Sequence, residues 1–215
     1  MTILKKRFRA EKMDSNIRTK KMDKGLLIKE ICTLLINDKK QEGIDLAKSK
    51  YPLEQRNING RKYTKTQMCK IFLRDGFIDR YSGEKLLFPG ILRILTIEFP
   101  QIFKYHKNWK MSETHMIYWE LSPTIDHIKP VARGGEDNED NWVTTSMVRN
   151  SAKANWNLEE IGWSLKISGE LKNWDGLIKY FIDLTDKNPE YEKDNYVRSW
   201  KSGLLTAKRE MRIQL

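Results

Sequence analysis

The run PTIDHIKPVARGGEDNEDNWVTTSMVRNSAK, at residues 123–153, constrains the structure of this chain more than any other segment. It opens with a short apolar stretch that ends in a carboxylate beside an imidazole, Asp126-His127. Pro130 and a Gly-Gly pair then interrupt regular structure, and a second apolar stretch starts at Trp142, which we expect to pack under this run. The order predicts a strand, a loop, a second strand and a helix.

The spacing within this run resembles that of the HNH endonuclease family. The family pattern is D-H, then I or V, x-P, three residues, G-G, five residues, N, eight residues, a final N or H, and K three positions later. Every interval is matched here, by Asp126, His127, Ile128, Pro130, Gly134, Gly135, Asn141, Asn150 and Lys153. The resemblance covers residues 70–156 and implies a ββα-metal core within a mainly helical α+β protein.

Residues 74–86, RDGFIDRYSGEKL, resemble the family's opening segment, in which a C-x-x-C pair supplies half of a structural zinc site. Asp79 and Ser82 stand at those two cysteine positions, and Ser146 and Arg149 stand at the second pair. Structural zinc sites need Cys or His ligands, so we expect no structural zinc. We expect the Arg149 guanidinium to pair with the Asp79 carboxylate instead. The HNH domain of RNA-guided nucleases also lacks this zinc site and is active.

The resemblance implies roles for four residues. His127 would take the proton from water, and an imidazole suits that role near neutral pH. Asp126 and Asn150 would bind one divalent cation, and two protein oxygens with water suit Mg²⁺, which Mn²⁺ can replace. Asn141 would hold the loop by hydrogen bonds from its side chain to the backbone. Neighbouring strand residues point to opposite faces, so Asp126 and His127 share a site only if the strand ends or distorts there.

Two cationic residues of the run are candidates for contacting a phosphate. Lys153 lies three positions after Asn150 and therefore on the same face of the predicted helix. It is either a phosphate ligand or a solvated lysine. Arg133, in the loop, is a second candidate.

The charge of the chain favours a polyanionic partner. It has 40 Lys and Arg against 29 Asp and Glu, a net charge of +11 and a pI near 9.5. Neutralised phosphates release condensed counterions, so a basic excess of this size indicates nucleic acid. Residues 1–25 hold nine basic and three acidic side chains and form either an arm that orders on DNA or a solvated tail. The candidate DNA contacts there are Lys5, Lys6, Arg7 and Arg9.

The remaining composition predicts a reduced, cytoplasmic protein that does not enter a membrane. No apolar stretch approaches the length of a membrane span. Cys32 and Cys69 are the only cysteines, and each stands among apolar neighbours, where a free thiol behaves as a small core residue. A disulfide between them is the alternative.

We divide the chain into four segments. They are a basic arm (1–25), a helical region (26–63), the HNH core (64–156) with a helical insertion (88–121), and a C-terminal helical extension (157–215). Helices are predicted from the cap Asp23 to Asn37, over 43–50, over 64–74, from the cap Ser112 through Trp119, after the cap Asp175, and over 196–205, where Gly203 weakens the prediction.

These expectations favour a metal-dependent HNH DNA endonuclease that leaves 5′-phosphate and 3′-hydroxyl ends in restriction or another defence. A nuclease of a phage or mobile element and an RNA-directed nuclease share the same chemistry. A DNA-binding protein whose HNH frame has lost catalysis is the alternative of a different class. A restriction enzyme would form a homodimer, since symmetric sites match two-fold symmetric proteins.

Overall fold

The computed structural model describes residues 22–52 and 62–213, which form two separate compact units. The candidate DNA contacts Lys5, Lys6, Arg7 and Arg9 lie outside the described residues.

The first unit, 22–52, is a pair of helices, α1 (Lys24–Ile36) and α2 (Lys40–Lys50). The predicted cap is confirmed, because the Asp23 carboxylate accepts hydrogen bonds from the N–H groups of Gly25 and Leu26 at 2.9 and 3.1 Å. α2 starts three residues before the predicted position 43. Gly43 does not mark the start of this helix, because it is buried inside α2, against α1.

The second unit, 62–213, contains the motif and is mainly helical, with one two-stranded antiparallel sheet. Its helices are α3 (Lys65–Arg74), α4 (Pro89–Glu98), α5 (Ile117–Leu121), α6 (Met147–Lys153), α7 (Ile178–Lys187) and α8 (Asn195–Met211), and its strands are β1 (Pro123–His127) and β2 (Trp142–Ser146). Three short 3-10 turns cover 131–133, 158–161 and 189–193. The expected α+β class and the strand, loop, strand, helix order are confirmed.

One hydrophobic core joins the motif to the C-terminal helices. It contains residues of α3, α4, α7 and α8 together with Ile125 of β1 and Trp142 of β2. Trp200 of α8 stacks on Phe72 of α3 with ring centroids 6.2 Å apart. Gly203 lies where α8 crosses α3, and a Cβ there would come within 2.5 Å of the Lys65 Cβ. The glycine that weakened the helix prediction therefore permits the closest contact between these helices.

The prediction of a helix from Ser112 was wrong in extent, because α5 begins only at Ile117. The residues before it are tied to an earlier segment instead. The hydroxyl of Thr114 accepts a hydrogen bond from the His106 N–H at 3.2 Å, and the His115 N–H donates to the Lys104 carbonyl at 2.8 Å. Side chains such as Thr can satisfy nearby backbone groups in this way and compete with helix formation.

Both cysteines are free thiols. Cys69 is fully buried in the core, and its burial raises the pKa of the thiol to about 12, so it behaves as the expected core residue. Cys32 was expected in a core but is exposed on α1.

Within the two described units, no helix combines the length and apolar character needed to cross a membrane.

Candidate active site

The two strands and α6 form a hairpin followed directly by a helix. β1 pairs with β2 so that His127 lies opposite Trp142 and Pro123 lies opposite Ser146. The Ser146 side chain ends β2 and starts α6, because its oxygen accepts a hydrogen bond from the Arg149 N–H at 3.3 Å. β1 ends at His127, so the Asp-His pair occupies the exit from the strand.

The loop between the strands is fixed by Asn141. Its side-chain oxygen accepts from the Lys129 N–H at 2.9 Å, and its amide donates to the carbonyls of Lys129 and Glu136 at 2.9 and 2.7 Å. A Cβ on Gly135 would lie 1.9 Å from the Lys129 carbonyl oxygen, so only glycine fits there. Asn141 makes the hydrogen bonds from side chain to backbone that the resemblance implied.

Asp126 is a buried carboxylate with two polar partners. Its Oδ2 accepts a hydrogen bond from the Tyr81 hydroxyl at 2.7 Å and lies 2.9 Å from the Lys153 ammonium. Burial, and then the negative charge of Asp126, raise the pKa of Tyr81, so this hydroxyl remains a donor. The carboxylate is held by two donors from different parts of the fold.

Lys153 is neither the phosphate ligand nor the solvated lysine that the sequence suggested. Its side chain is 0% exposed, and its ammonium contacts the Asp126 carboxylate and donates to the His127 carbonyl at 2.7 Å. A buried ammonium needs a charged partner and hydrogen-bond acceptors, and this site supplies both. Lys153 therefore positions the two motif residues from inside the protein.

His127 lies against a carboxylate that sequence reasoning missed. Its Nε2 is 2.7 Å from Oδ1 of Asp137 and 3.1 Å from the indole nitrogen of Trp142. The Trp142 indole N–H also lies 2.9 Å from the same Asp137 oxygen. Asp137 is one of several acidic residues in the loop 136–140, and nothing in the sequence distinguishes it from the others.

The side chains of Asp126 and His127 have separate sets of partners. Asp126 lies with Tyr81 and Lys153, and His127 lies with Trp142 and Asp137. In the described part of the chain, no hydrogen bond or ion pair joins the two side chains directly. Neighbouring residues on a strand point to opposite faces, which accounts for this separation. Lys153 links them, because it contacts the side chain of one and the backbone of the other.

Asn150 brings α6 to the same strand, since its amide donates to the Ile125 carbonyl at 3.3 Å. Among residues 22–52 and 62–213, neither the Asn150 side-chain oxygen nor Oδ1 of Asp126 has a hydrogen-bond partner. A carboxylate oxygen and an amide oxygen fit Mg²⁺ completed by water and phosphate. The described residues contain no group of three or more His, Cys, Asp or Glu side chains placed to hold a metal ion.

The predicted pair between Asp79 and Arg149 was wrong. Asp79 is fully buried and accepts hydrogen bonds from the N–H groups of Tyr81, Ser82 and Ser146 at 2.9, 3.2 and 2.8 Å, and from the Thr145 hydroxyl at 3.1 Å. Arg149 instead lies at the surface, 3.7 Å from Glu84. Backbone donors converge on the carboxylate from both segments, 79–82 and 145–146, so an arginine is not needed there.

Arg133 has partners within the protein. Its guanidinium lies 3.3 Å from Glu160 and 5.5 Å from the centre of the Trp156 ring. The side chain is 23% exposed, so it reaches the surface beside the motif while these contacts hold it.

Comparison of the chain with protein-family models, with curated proteins and with solved structures finds no match. The likeness to the HNH family therefore depends on the motif residues and on the frame that holds them.

Proposed function

We propose that this chain is a metal-dependent HNH endonuclease that hydrolyses phosphodiester bonds in DNA. The observation that carries the proposal is the arrangement around the end of β1. Lys153 contacts the Asp126 carboxylate at 2.9 Å and the His127 backbone carbonyl at 2.7 Å. The Asn150 amide donates to the carbonyl of Ile125 in the same strand at 3.3 Å. A base and oxygen ligands for a cation are the groups that phosphodiester hydrolysis needs.

Each residue then has a defined role. His127 accepts the proton of the attacking water. Asp126 and Asn150 present the oxygens that would hold Mg²⁺ or Mn²⁺, and the cation would supply charge neutralisation for the phosphate and the leaving group. Lys153 keeps the Asp126 carboxylate and the His127 backbone in place. Cleavage in this arrangement leaves 5′-phosphate and 3′-hydroxyl ends.

The charge and the thiols of the whole chain support a DNA substrate in a reducing compartment, and restriction or another defence is the setting that we propose. A net charge of +11 favours a polyanion, and free thiols at both cysteines are compatible with a reducing cytoplasm. Restriction requires cleavage of both strands, for which a homodimer is the simplest arrangement.

A DNA-binding protein without catalysis is the second candidate, and one observation favours it. The Asp126 carboxylate already has an ammonium partner at 2.9 Å, and this positive charge opposes a second cation at the same group. Such a protein would bind DNA and leave it intact.

Incubation of the full-length chain with supercoiled plasmid separates the two candidates. We expect nicked or linear DNA with Mg²⁺, no cleavage in chelator, and 5′-phosphates by end-labelling. Asp126→Ala and Asn150→Ala should require more metal for half-maximal cleavage, whereas Asp140→Ala, which changes an exposed carboxylate of the same loop, should not. DNA binding without cleavage would favour the second candidate, and 3′-phosphate ends would contradict the assigned leaving group.

A further inference from the structure

We propose that Asp137 is a positioning residue that holds the proton of the neutral His127 ring on Nε2 and leaves Nδ1 to accept a proton from water. The inference rests on the proposed nuclease function for the catalytic use of the ring, and on the local geometry for everything else.

Two groups compete for Nε2 of His127. The Asp137 carboxylate lies 2.7 Å away and can only accept a hydrogen bond, whereas the Trp142 indole lies 3.1 Å away and can only donate one. Nε2 can form a hydrogen bond with only one of them at a time. A protonated Nε2 donates to Asp137, and an unprotonated Nε2 accepts from Trp142 and leaves the ring proton on Nδ1.

The position of Asp137 decides this competition. The Trp142 indole nitrogen lies 2.9 Å from the same carboxylate oxygen, so both N–H groups can donate to Asp137 together. The Tyr63 hydroxyl donates to this oxygen as well, at 3.4 Å. Hydrogen bonds to a charged acceptor are stronger than those between neutral groups, so the arrangement with both donors on the carboxylate is favoured.

The other ring nitrogen is then the base. In the part of the chain that the structure describes, Nδ1 of His127 has no hydrogen-bond partner, and the side chain keeps 7% of its surface exposed. A neutral imidazole with its proton on Nε2 has its lone pair on Nδ1. Nδ1 is therefore the ring nitrogen that can take a proton from water.

Removal of Asp137 should move the proton of the His127 ring from Nε2 to Nδ1. The Trp142 N–H then has His127 Nε2 as its nearest acceptor, and donation to Nε2 moves the ring proton to Nδ1. A ring in that tautomer cannot accept a proton at Nδ1. Removal of the indole N–H as well should let the ring proton return to Nε2, since no donor then competes for that nitrogen.

The test uses the full-length chain labelled with ¹⁵N in its three histidines, at a pH where the rings are neutral. The His127 signals are assigned by their loss in His127→Ala. We expect the proton on Nε2 in the wild type, on Nδ1 in Asp137→Ala, and again on Nε2 in Asp137→Ala/Trp142→Phe. Asp140→Ala, which removes an exposed carboxylate of the same loop, should leave the signals unchanged.

The same variants are assayed for cleavage of plasmid DNA. Asp137→Ala should lower kcat by about 10²-fold or more with little change in KM, because the base is in the wrong tautomer. Trp142→Phe in that background should recover at least about tenfold, whereas a purely structural role would make the double variant worse than either single one.

A proton that stays on Nε2 in Asp137→Ala, or a double variant that recovers neither tautomer nor rate, would overturn the assignment. If the wild type cleaves no DNA, the ¹⁵N spectra still decide the role of Asp137, and only the nuclease proposal fails. Asp137 is 44% exposed, and Phe keeps the apolar ring of Trp142, so both variants are expected to fold.

Discussion

At the scale of single residues, three groups hold the motif together: the buried Asp79 and Lys153, and the exposed Asp137 with its ring partners. Asp79 joins the segment after α3 to the end of β2 through four donors. Lys153 joins α6 to the end of β1. Asp79 and Lys153 are polar groups inside the protein, and each has hydrogen-bond partners there.

Asp79→Ala should lower the free energy of unfolding by about 3–5 kcal/mol, because it leaves several buried donors without an acceptor. Arg149→Ala should cost less than about 1 kcal/mol, since its ion pair is at the surface. Urea unfolding of both variants measures the difference. Equal losses would contradict the hydrogen-bond network and restore a structural role for Arg149.

Lys153→Met should lower the free energy of unfolding by about 3–5 kcal/mol, because Asp126 loses its buried partner. The salt dependence of DNA binding should stay unchanged, since the ammonium does not reach the surface. Lys129→Met changes an exposed lysine of the motif and is the control for stability. A decrease of the salt slope by about 0.9 in Lys153→Met would show that the ammonium binds a phosphate after all.

The sequence predicts the strands, loop and helix that carry the motif residues, but not which partner each side chain contacts. The spacing places Asn141 in the loop, and only backbone groups are near enough to bind its amide. The burial of Lys153 depends on Tyr81 and Asp126, which are far apart in the sequence. The same is true of Arg149, whose expected partner is already satisfied by backbone donors. Spacing along the chain carries no information on such competition between partners.

At the scale of elements, helix ends are predicted well where a side chain caps the backbone. Thr64 and Gln67 form a reciprocal capping box at α3, and Asp23 caps α1. α2 and α5 were misplaced because their starts depend on tertiary packing and on a loop held by Thr114. A capping residue in the sequence predicts a helix end correctly only when no residue distant in the sequence gives the backbone another hydrogen-bond partner.

The start of α8 provides a test of pH dependence. Asp194 accepts hydrogen bonds from the N–H groups of Tyr196 and Val197 and from Arg93 of α4, at 2.6 to 3.1 Å. Burial alone would raise the pKa of Asp194, but the bonds from Arg93 and from the backbone outweigh it and hold the pKa below its usual value. The ionised carboxylate therefore stabilises the fold above the unfolded-state pKa near 4, and this contribution is lost as the pH falls through the lower folded-state pKa.

Asp194→Asn should keep the cap and lose the ion pair, whereas Asp194→Ala should also lose the cap, worth about 1 kcal/mol. The stability difference between the wild type and Asp194→Asn should be largest at pH 7 and shrink as the pH falls below about 4. Thermal melts across pH measure it, with the exposed Asp183→Asn as control. A difference that does not change with pH would contradict the role of the charge.

At the scale of the whole molecule, the hydrophobic core that supports the motif and the highest concentration of positive charge belong to different parts of the chain. The core of 62–213 includes α8, so the C-terminal segment is required to support the motif. The concentration of positive charge in residues 1–21 is visible in the sequence alone. The sequence predicts the mainly helical class, but it does not show that α3 and α8 share one core, because that contact depends on Gly203 and on residues more than a hundred positions apart.

Deletion of residues 1–21, which leaves the cap Asp23 in place, should weaken DNA binding and flatten its salt dependence. Every phosphate that the shortened chain no longer neutralises lowers the slope of log K against log salt by about 0.9. The control replaces Lys5, Lys6, Arg7 and Arg9 by Gln in the full chain and should reproduce most of the effect. An unchanged slope in both proteins would show that this segment does not bind DNA.

If His127 is the base of a nuclease, as we propose, its replacement should slow the chemical step of cleavage and leave DNA binding nearly intact. Single-turnover cleavage of plasmid with Mg²⁺ and DNA affinity are measured together for the wild type, His127→Ala and the control His115→Ala. We expect a cleavage rate about 10² to 10⁴ lower for His127→Ala at nearly unchanged DNA affinity, and a wild-type rate for His115→Ala. Cleavage by His127→Ala within about tenfold of the wild type would contradict this role for His127.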